Sequence, residues 1–206
     1  MEMNIEEIYV LNRALDGKDI FGLPAFHNMG SSNMLIKSVK NQLIRKGLLE
    51  NESAFTMEGV QLVKLMDDYK KSCKYVKIGS ILIGIKNEKT ATVLLRKGIP
   101  VEYEFNILNL SDCHSHLSDY YPFLIPNKKA KTDETRSEID YEDLVEAYSL
   151  TAVNALYIST YTVEDKKTTD EILFSTSEGV GLYDRKTQIL VDNFCCTEDL
   201  IRERIA

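Results

Sequence analysis

The sequence lacks the features typical of secreted, membrane-spanning and nucleic-acid-binding proteins. Residues 1–7 are acidic where a secretory signal would be basic, and no apolar signal core follows them. The longest apolar stretches, such as residues 81–85, are far too short to span a bilayer. Lys and Arg number 25 against 32 Asp and Glu, a formal charge of −7, which argues against a broad basic surface. We therefore expect a cytoplasmic protein that neither inserts into membranes nor binds nucleic acid.

The chain is also poor in cysteine. Its four cysteines include the adjacent pair Cys195 and Cys196, which makes a poor disulfide framework, so reduced and buried thiols are expected. The segment Cys113–His116 places three metal-ligating side chains in four residues, but a zinc site needs a second cluster. Cys195 and Cys196 provide that cluster only if the fold brings them to residues 113–116. We expect no bound metal.

Motifs for catalysis and phosphate binding are missing as well. The sequence contains no Gly-x-Ser-x-Gly elbow, no Gly-x-x-x-x-Gly-Lys-Ser/Thr loop and no Gly-x-Gly-x-x-Gly turn. Paired carboxylates such as Glu6–Glu7 and Asp67–Asp68 fall on predicted helices at exposed positions, which favours solvated faces. We expect neither enzymatic activity nor a cofactor.

What is present is an ordinary globular composition, with 44% hydrophobic and 28% charged residues. Asn4, Ser32 and Thr56 are predicted to cap the first three helices, and Glu7 completes a capping box with Asn4. Ser111, Asp140 and Thr197 are predicted to cap the next three helices.

Two strand regions separate these later helices. The predicted strands are 75–85, 90–96 and 101–108, then 156–163, 169–176 and 182–191. Each region reads as a three-stranded meander that follows helices and precedes one. The similarity favours a duplicated unit, with chance similarity of two common meanders as the alternative.

The expected fold is therefore α+β: an antiparallel sheet from two three-stranded meanders, flanked by helices, with quasi-two-fold halves. We expect a single domain over residues 1–206, with a first half at 1–121 and a second half at 140–206. Residues 127–138 are charged and almost without apolar side chains, which predicts a linker or disordered loop between the halves.

Residues 33–66 allow an alternative function. A helix ending in Lys-Gly-Leu-Leu, a short turn and a second helix are typical of winged-helix DNA-binding regulators. The second helix, however, is followed by Asp67 and Asp68 and has only Lys64 centrally, which is poor for phosphate contact.

The same segments carry a family resemblance. A leading helix with Glu6–Leu11 is followed by a Leu23-Pro24 loop and by Leu43-Ile-Arg-Lys-Gly-Leu-Leu49, before the helix of 56–66 and the meander of 75–108. This order resembles the EspG family, cytosolic chaperones of type VII (ESX) secretion. Lys46 stands where that family more commonly has Arg.

The resemblance implies an α+β fold with quasi-two-fold halves. It also implies binding of a helical secreted protein, which is kept soluble and monomeric before export. The implied clients are PE/PPE-like, WXG100-like or LXG-like proteins, and a homodimer stays open as an alternative assembly. By analogy the partner-binding surface is the first meander with its turn Asn87, Glu88 and Lys89, which otherwise form a solvated hairpin.

Overall fold

The computed structural model describes residues 1–26, 32–87, 89–125, 134–151, 154–162, 164, 166–177 and 179–205. Over these residues the chain forms six α-helices and eleven strands. The helices are α1 (Ile5–Asn12), α2 (Asn33–Arg45), α3 (Met57–Lys70), α4 (Cys113–Tyr120), α5 (Tyr141–Tyr148) and α6 (Thr197–Ile205). None of these helices is both long enough and apolar enough to cross a bilayer.

The strands build one large antiparallel sheet and one small hairpin. The small hairpin is β1 (Leu49–Asn51) with β2 (Ala54–Phe55), between α2 and α3. The large sheet contains β3 (Lys74–Ile78), β4 (Ile81–Ile85), β5 (Thr90–Lys97), β6 (Glu102–Asn109), β7 (Thr135–Glu138), β8 (Ala155–Thr162), β9 (Lys167–Ser175), β10 (Val180–Asp184) and β11 (Ile189–Asp192). Its spatial order is β6-β5-β4-β3-β8-β9-β10-β11-β7. The α+β class with an antiparallel sheet is thereby confirmed.

The sheet consists of two meanders that meet at their first strands. β3 pairs antiparallel with β8, so that Tyr75 lies opposite Tyr161. Two antiparallel neighbours are related by a local two-fold axis perpendicular to the sheet. The meanders β3–β6 and β8–β11 extend in opposite directions from that pair, which gives the quasi-two-fold arrangement.

Each meander has four strands where three were predicted. The apolar segment 75–85 is a hairpin, in which Ile78 pairs with Ile81 across a two-residue turn that begins with Gly79 at φ +57. The segment 182–191 likewise folds back, with Asp184 opposite Ile189. Apolar residues on both sides of the first turn hide it, because hydrophobic patterning alone cannot separate one long strand from two short ones. The second turn is the polar run Arg185–Gln188, which the prediction of a single strand overlooked.

The first three predicted helix caps are confirmed. The Asn4 side chain accepts a hydrogen bond from the Glu7 N–H, and the Glu7 carboxylate accepts one from the Asn4 N–H. The side chains of Ser32 and Thr56 accept the N–H groups of Leu35 and Gly59.

Of the three later caps, Asp140 is confirmed in position, and the other two differ from the prediction. Ser111 lies in a short 3-10 turn before α4, where its hydroxyl donates to Asp112. Asp140 occupies the N-cap position of α5 without a capping side-chain hydrogen bond. The Thr197 hydroxyl donates to the Leu124 carbonyl at 3.0 Å, so it ties α6 to the chain after α4 instead of capping the helix.

The charged segment between the halves includes an edge strand. Of the predicted linker 127–138, residues 127–133 lie outside the described residues. Thr135–Glu138 forms β7, which is exposed throughout and pairs with β11 at the end of the sheet. Exposed charge suits an edge position, because it discourages further strand pairing.

Helices cover both faces of the sheet. Tyr75, Leu82 and Leu94 face α1, α2 and α3 in one core cluster, while a second cluster on the same face packs α5 against β8–β11. The opposite face of the sheet packs Val76 and Ile158 against α4 and α6 in the third core cluster. Each half therefore has a helix before its meander on one face and a helix after it on the other.

Candidate partner-binding groove

The covering of the first meander leaves an apolar groove beside α4. This helix has eight residues, about 12 Å of length, which is too short to cover β4, β5 and β6. The uncovered space is a cavity of about 300 Å³ that we call the β6–α4 groove. Its lining is Ile81, Ile83, Val93, Leu95, Asn106, Ile107, Leu108, Cys113, His116, Leu117 and Tyr120.

One large exposed apolar side chain lies at the rim of this groove. Tyr120 at the end of α4 is 69% exposed, and the floor of the groove is only half-buried at Ile81, Leu95 and Leu108. Ile107 on the edge strand β6 is 66% exposed, but its side chain alternates onto the opposite face of the sheet. A single exposed apolar residue needs no explanation, whereas one at the rim of an apolar depression with a half-buried floor indicates a surface for a partner.

The strand pattern explains how Ile107 becomes exposed. Along β6 the side chains of Tyr103 and Phe105 are buried in the core beneath α1–α3. Ile107 continues that alternation on the face of the sheet that α1–α3 cover. At this end of β6, however, the helices leave a smaller cavity of about 150 Å³ beside Ile107, which Leu65 of α3 also lines. The apolar pattern thus extends one position beyond the area that the helices cover.

The predicted binding turn lies at the same end of the sheet. Asn87 lines the smaller cavity together with Ile107, so the β4–β5 turn borders the α3 face of the sheet and does not line the groove. The Asn87 Oδ1 accepts hydrogen bonds from the N–H groups of Lys89 and Thr90, at 3.0 and 2.9 Å. Asn87 therefore shapes the turn, Lys89 is exposed beside it, and Glu88 lies outside the described residues.

Sequence reasoning missed the groove and Tyr120 at its rim. Alternating hydrophobicity predicts that a strand has a buried face, but it does not tell which part of that face a helix leaves uncovered. The one available signal is the shortness of the predicted helix before Pro122.

The titratable groups at the groove do not form a reactive cluster. Cys113 is buried, and burial raises the pKa of its thiol to about 11. His116 is exposed, and the Nε2 atom of His114 is buried without a hydrogen-bond partner among the described residues. A thiol of such high pKa is a weak nucleophile at neutral pH.

The structure does not join residues 113–116 to the second cysteine pair. Among the described residues, the side chains close enough to share a metal ion are those of Glu134, Cys195 and Cys196. The expectation of buried thiols holds for Cys113 but is wrong for Cys73, Cys195 and Cys196, which are exposed.

A wider cleft of about 660 Å³ lies near the turn between β5 and β6. Lys77, Arg96 and Lys97 line it together with aromatic residues, so its character is partly cationic. An apolar helix fits the β6–α4 groove better than this cleft. A helix bound in the cleft would remove the charged groups of its lysines and arginine from water, whereas the groove lining contains no lysine or arginine.

The helix considered for DNA reading is α3. Leu62, Met66 and Tyr69 on this helix are buried in the core against the sheet. Asp67 and Asp68 form ion pairs with Lys71 and Lys86. A helix that presents these carboxylates offers little to a phosphate backbone.

Fold and surface together define an α+β protein with a nine-stranded antiparallel sheet and an apolar groove beside a short helix. The chain belongs to the DUF5081 family, a domain of unknown function whose family model matches residues 1–184. No curated protein matches the chain.

Proposed function

We propose that the chain is a non-catalytic adaptor or chaperone that binds an apolar segment of a helical partner in the β6–α4 groove. The observation that carries the proposal is Tyr120, exposed at the rim of an apolar depression in which Ile81, Leu95 and Leu108 are only half-buried. Burying these side chains against a partner removes apolar area from water, which stabilises a complex by about 25 cal/mol per Å² of area buried.

The groove favours a helix as the bound element. Helices dock into apolar grooves through side chains spaced at i, i+3, i+4 and i+7, all on one face. The polar side chains of Asn106 and His116 lie in the lining beside Leu108 and Leu117. Such an apolar centre with polar groups beside it is typical of protein–protein contacts.

The resemblance to the EspG family supplies the class of partner. Under this proposal the client is a helical secreted protein of the PE/PPE, WXG100 or LXG type. The chain holds it soluble in the cytoplasm until a type VII secretion system exports it. The turn at Asn87 and Lys89 then contributes polar contacts at the same end of the sheet.

Co-expression with helical secretion substrates encoded near this gene tests the proposal. A tagged chain should co-purify one of them as a stable complex. Leu108→Glu and Tyr120→Glu should each abolish recovery, because they place a charge in an apolar contact. Met34→Glu is the matched control, since Met34 is 87% exposed and lies on α2, outside the groove lining.

The contrary results are equally defined. If no such substrate forms a complex, the type VII role fails. If a substrate binds and the groove variants retain it as well as Met34→Glu does, the groove is not its binding surface.

A further inference from the structure

A second cluster of functional side chains lies at the far end of the sheet from the β6–α4 groove. Glu134 immediately precedes β7, and Cys195 and Cys196 connect β11 to α6. The Sγ atom of Cys195 lies 3.4 Å from Glu134 Oε1 and 3.5 Å from the Sγ of Cys196. All three donor atoms lie within 4.8 Å of one another, and all three residues are exposed.

These separations match the edges of a tetrahedral metal site. Zinc binds thiolate sulfur at about 2.3 Å and carboxylate oxygen at about 2.0 Å. In a tetrahedron those bond lengths give sulfur–sulfur edges of about 3.7 Å and sulfur–oxygen edges of about 3.5 Å. The observed 3.5 and 3.4 Å are close to two of the three edges, and the third pair of donor atoms lies within 4.8 Å.

The electrostatics of the cluster also favour a cation. Among the described residues no lysine or arginine forms an ion pair with Glu134. The cluster therefore concentrates acceptor groups with no ion-paired counter-charge from the part of the chain that the structure describes.

We propose that Glu134, Cys195 and Cys196 form a binding site for a thiophilic divalent cation of the zinc class. Two sulfurs and one carboxylate oxygen are a ligand set that suits Zn²⁺ or Cd²⁺ and disfavours Mg²⁺ and Ca²⁺. The two thiols release their protons to solvent on binding, and water or a partner's side chain completes the fourth position.

The bound cation ties together distant parts of the chain. Glu134 and Cys195 are 61 residues apart, and the contact joins the start of β7 to the connection before α6. A ligand that binds only the folded state stabilises it by mass action. Metal binding should therefore raise the melting temperature, independently of any client in the β6–α4 groove.

The test uses the full chain, reduced with a phosphine and titrated with Cd²⁺ and then with Zn²⁺. The wild type should bind one ion per chain, show ultraviolet thiolate-to-cadmium charge-transfer absorption and melt at a higher temperature with Zn²⁺. Cys195→Ser and Cys196→Ser should each weaken binding beyond the roughly 10–100-fold typical of losing an outer-shell partner. Glu134→Gln should weaken binding while retaining the absorption.

Cys73→Ser is the matched control, because Cys73 is also an exposed free thiol but lies outside the cluster. It should bind metal as the wild type does. Circular dichroism of the metal-free variants confirms that they fold. The proposal is overturned if the folded wild type binds no stoichiometric cadmium, or if Cys195→Ser and Cys196→Ser retain it while Cys73→Ser loses it.

Discussion

At the residue scale, the half-buried carboxylate of Glu104 on β6 is held by two positive groups. Lys97 on β5 forms an ion pair with it, and the Met1 amino group lies 2.9 Å from its Oε1. Hydrogen bonds from Lys97 and then from the amino terminus lower the pKa of Glu104 to about 2. The backbone of Met3 pairs with Tyr103 next to it, so this contact fixes the chain's first residues on the edge of β6.

This lowered pKa predicts a defined acid dependence. A carboxylate with a depressed pKa in the folded state stabilises the fold above its unfolded pKa of about 4.3, and the contribution disappears as pH falls through about 2. Glu104→Gln should therefore lower the free energy of unfolding near neutral pH, and its difference from the wild type should shrink as pH falls from about 4.3 to about 2.

Urea unfolding of both proteins across that pH range measures the difference. Glu164→Gln serves as the control, since Glu164 is an exposed residue paired with the exposed Lys166. A Glu104→Gln difference that stays constant across the range would contradict the assigned ion pair.

At the element scale, α3 packs close to the chain before it through a glycine. A Cβ atom at Gly59 would lie 2.0 Å from the carbonyl oxygen of Leu48, far inside van der Waals contact. The side chain of Thr56 caps the same turn by accepting the Gly59 N–H at 3.1 Å. Gly59 therefore sets how near the first turn of α3 comes to the end of α2.

Replacement of this glycine separates packing from helix propensity. Propensity alone predicts that Gly59→Ala stabilises α3 by about 1 kcal/mol. The clash with backbone predicts destabilisation by about 1–3 kcal/mol or more, because the Leu48 carbonyl is not a flexible side-chain end. Urea denaturation decides the sign, with Gln61→Ala on the exposed face of α3 as the control. A more stable Gly59→Ala variant would refute the close approach.

Local signals predicted some elements and not others. Asn4, Ser32 and Thr56 were predictable as caps because each is a side chain that bonds the N–H three residues on. Gly79 and the turn before Ile189 were missed because pairing of short strands is decided by tertiary contacts, not by the apolar pattern. The groove could not be predicted, since exposure of its apolar floor depends on where α4 ends.

At the scale of the whole molecule, the two halves share one of the three core clusters, the one beneath α4 and α6. Val76 and Ile83 of the first meander pack in the same cluster as Ile158 of the second meander and Ile201 of α6. The net negative charge is located mainly on the helices and on the segment near β7, so the excess of acidic residues coexists with a largely apolar sheet. A core divided between the halves predicts that neither half is stable without the other.

Truncation of this shared core should destabilise both halves together. Ile158 is fully buried, so Ile158→Ala should lower the free energy of unfolding by about 2–5 kcal/mol. Circular dichroism and tyrosine fluorescence should still show one coincident transition. Met34→Ala, on an exposed site, should change little. Two separate transitions in Ile158→Ala would show that the halves fold independently.

Site-specific photo-crosslinking in cells tests the central claim, that the β6–α4 groove binds a helical partner. A photoreactive amino acid replaces Tyr120 in the groove, Ile99 in the wider cationic cleft, or Met34 on α2. The account predicts that position 120 captures a helical secreted protein and that positions 99 and 34 do not. Capture of that protein from position 99 with none from position 120 would contradict it.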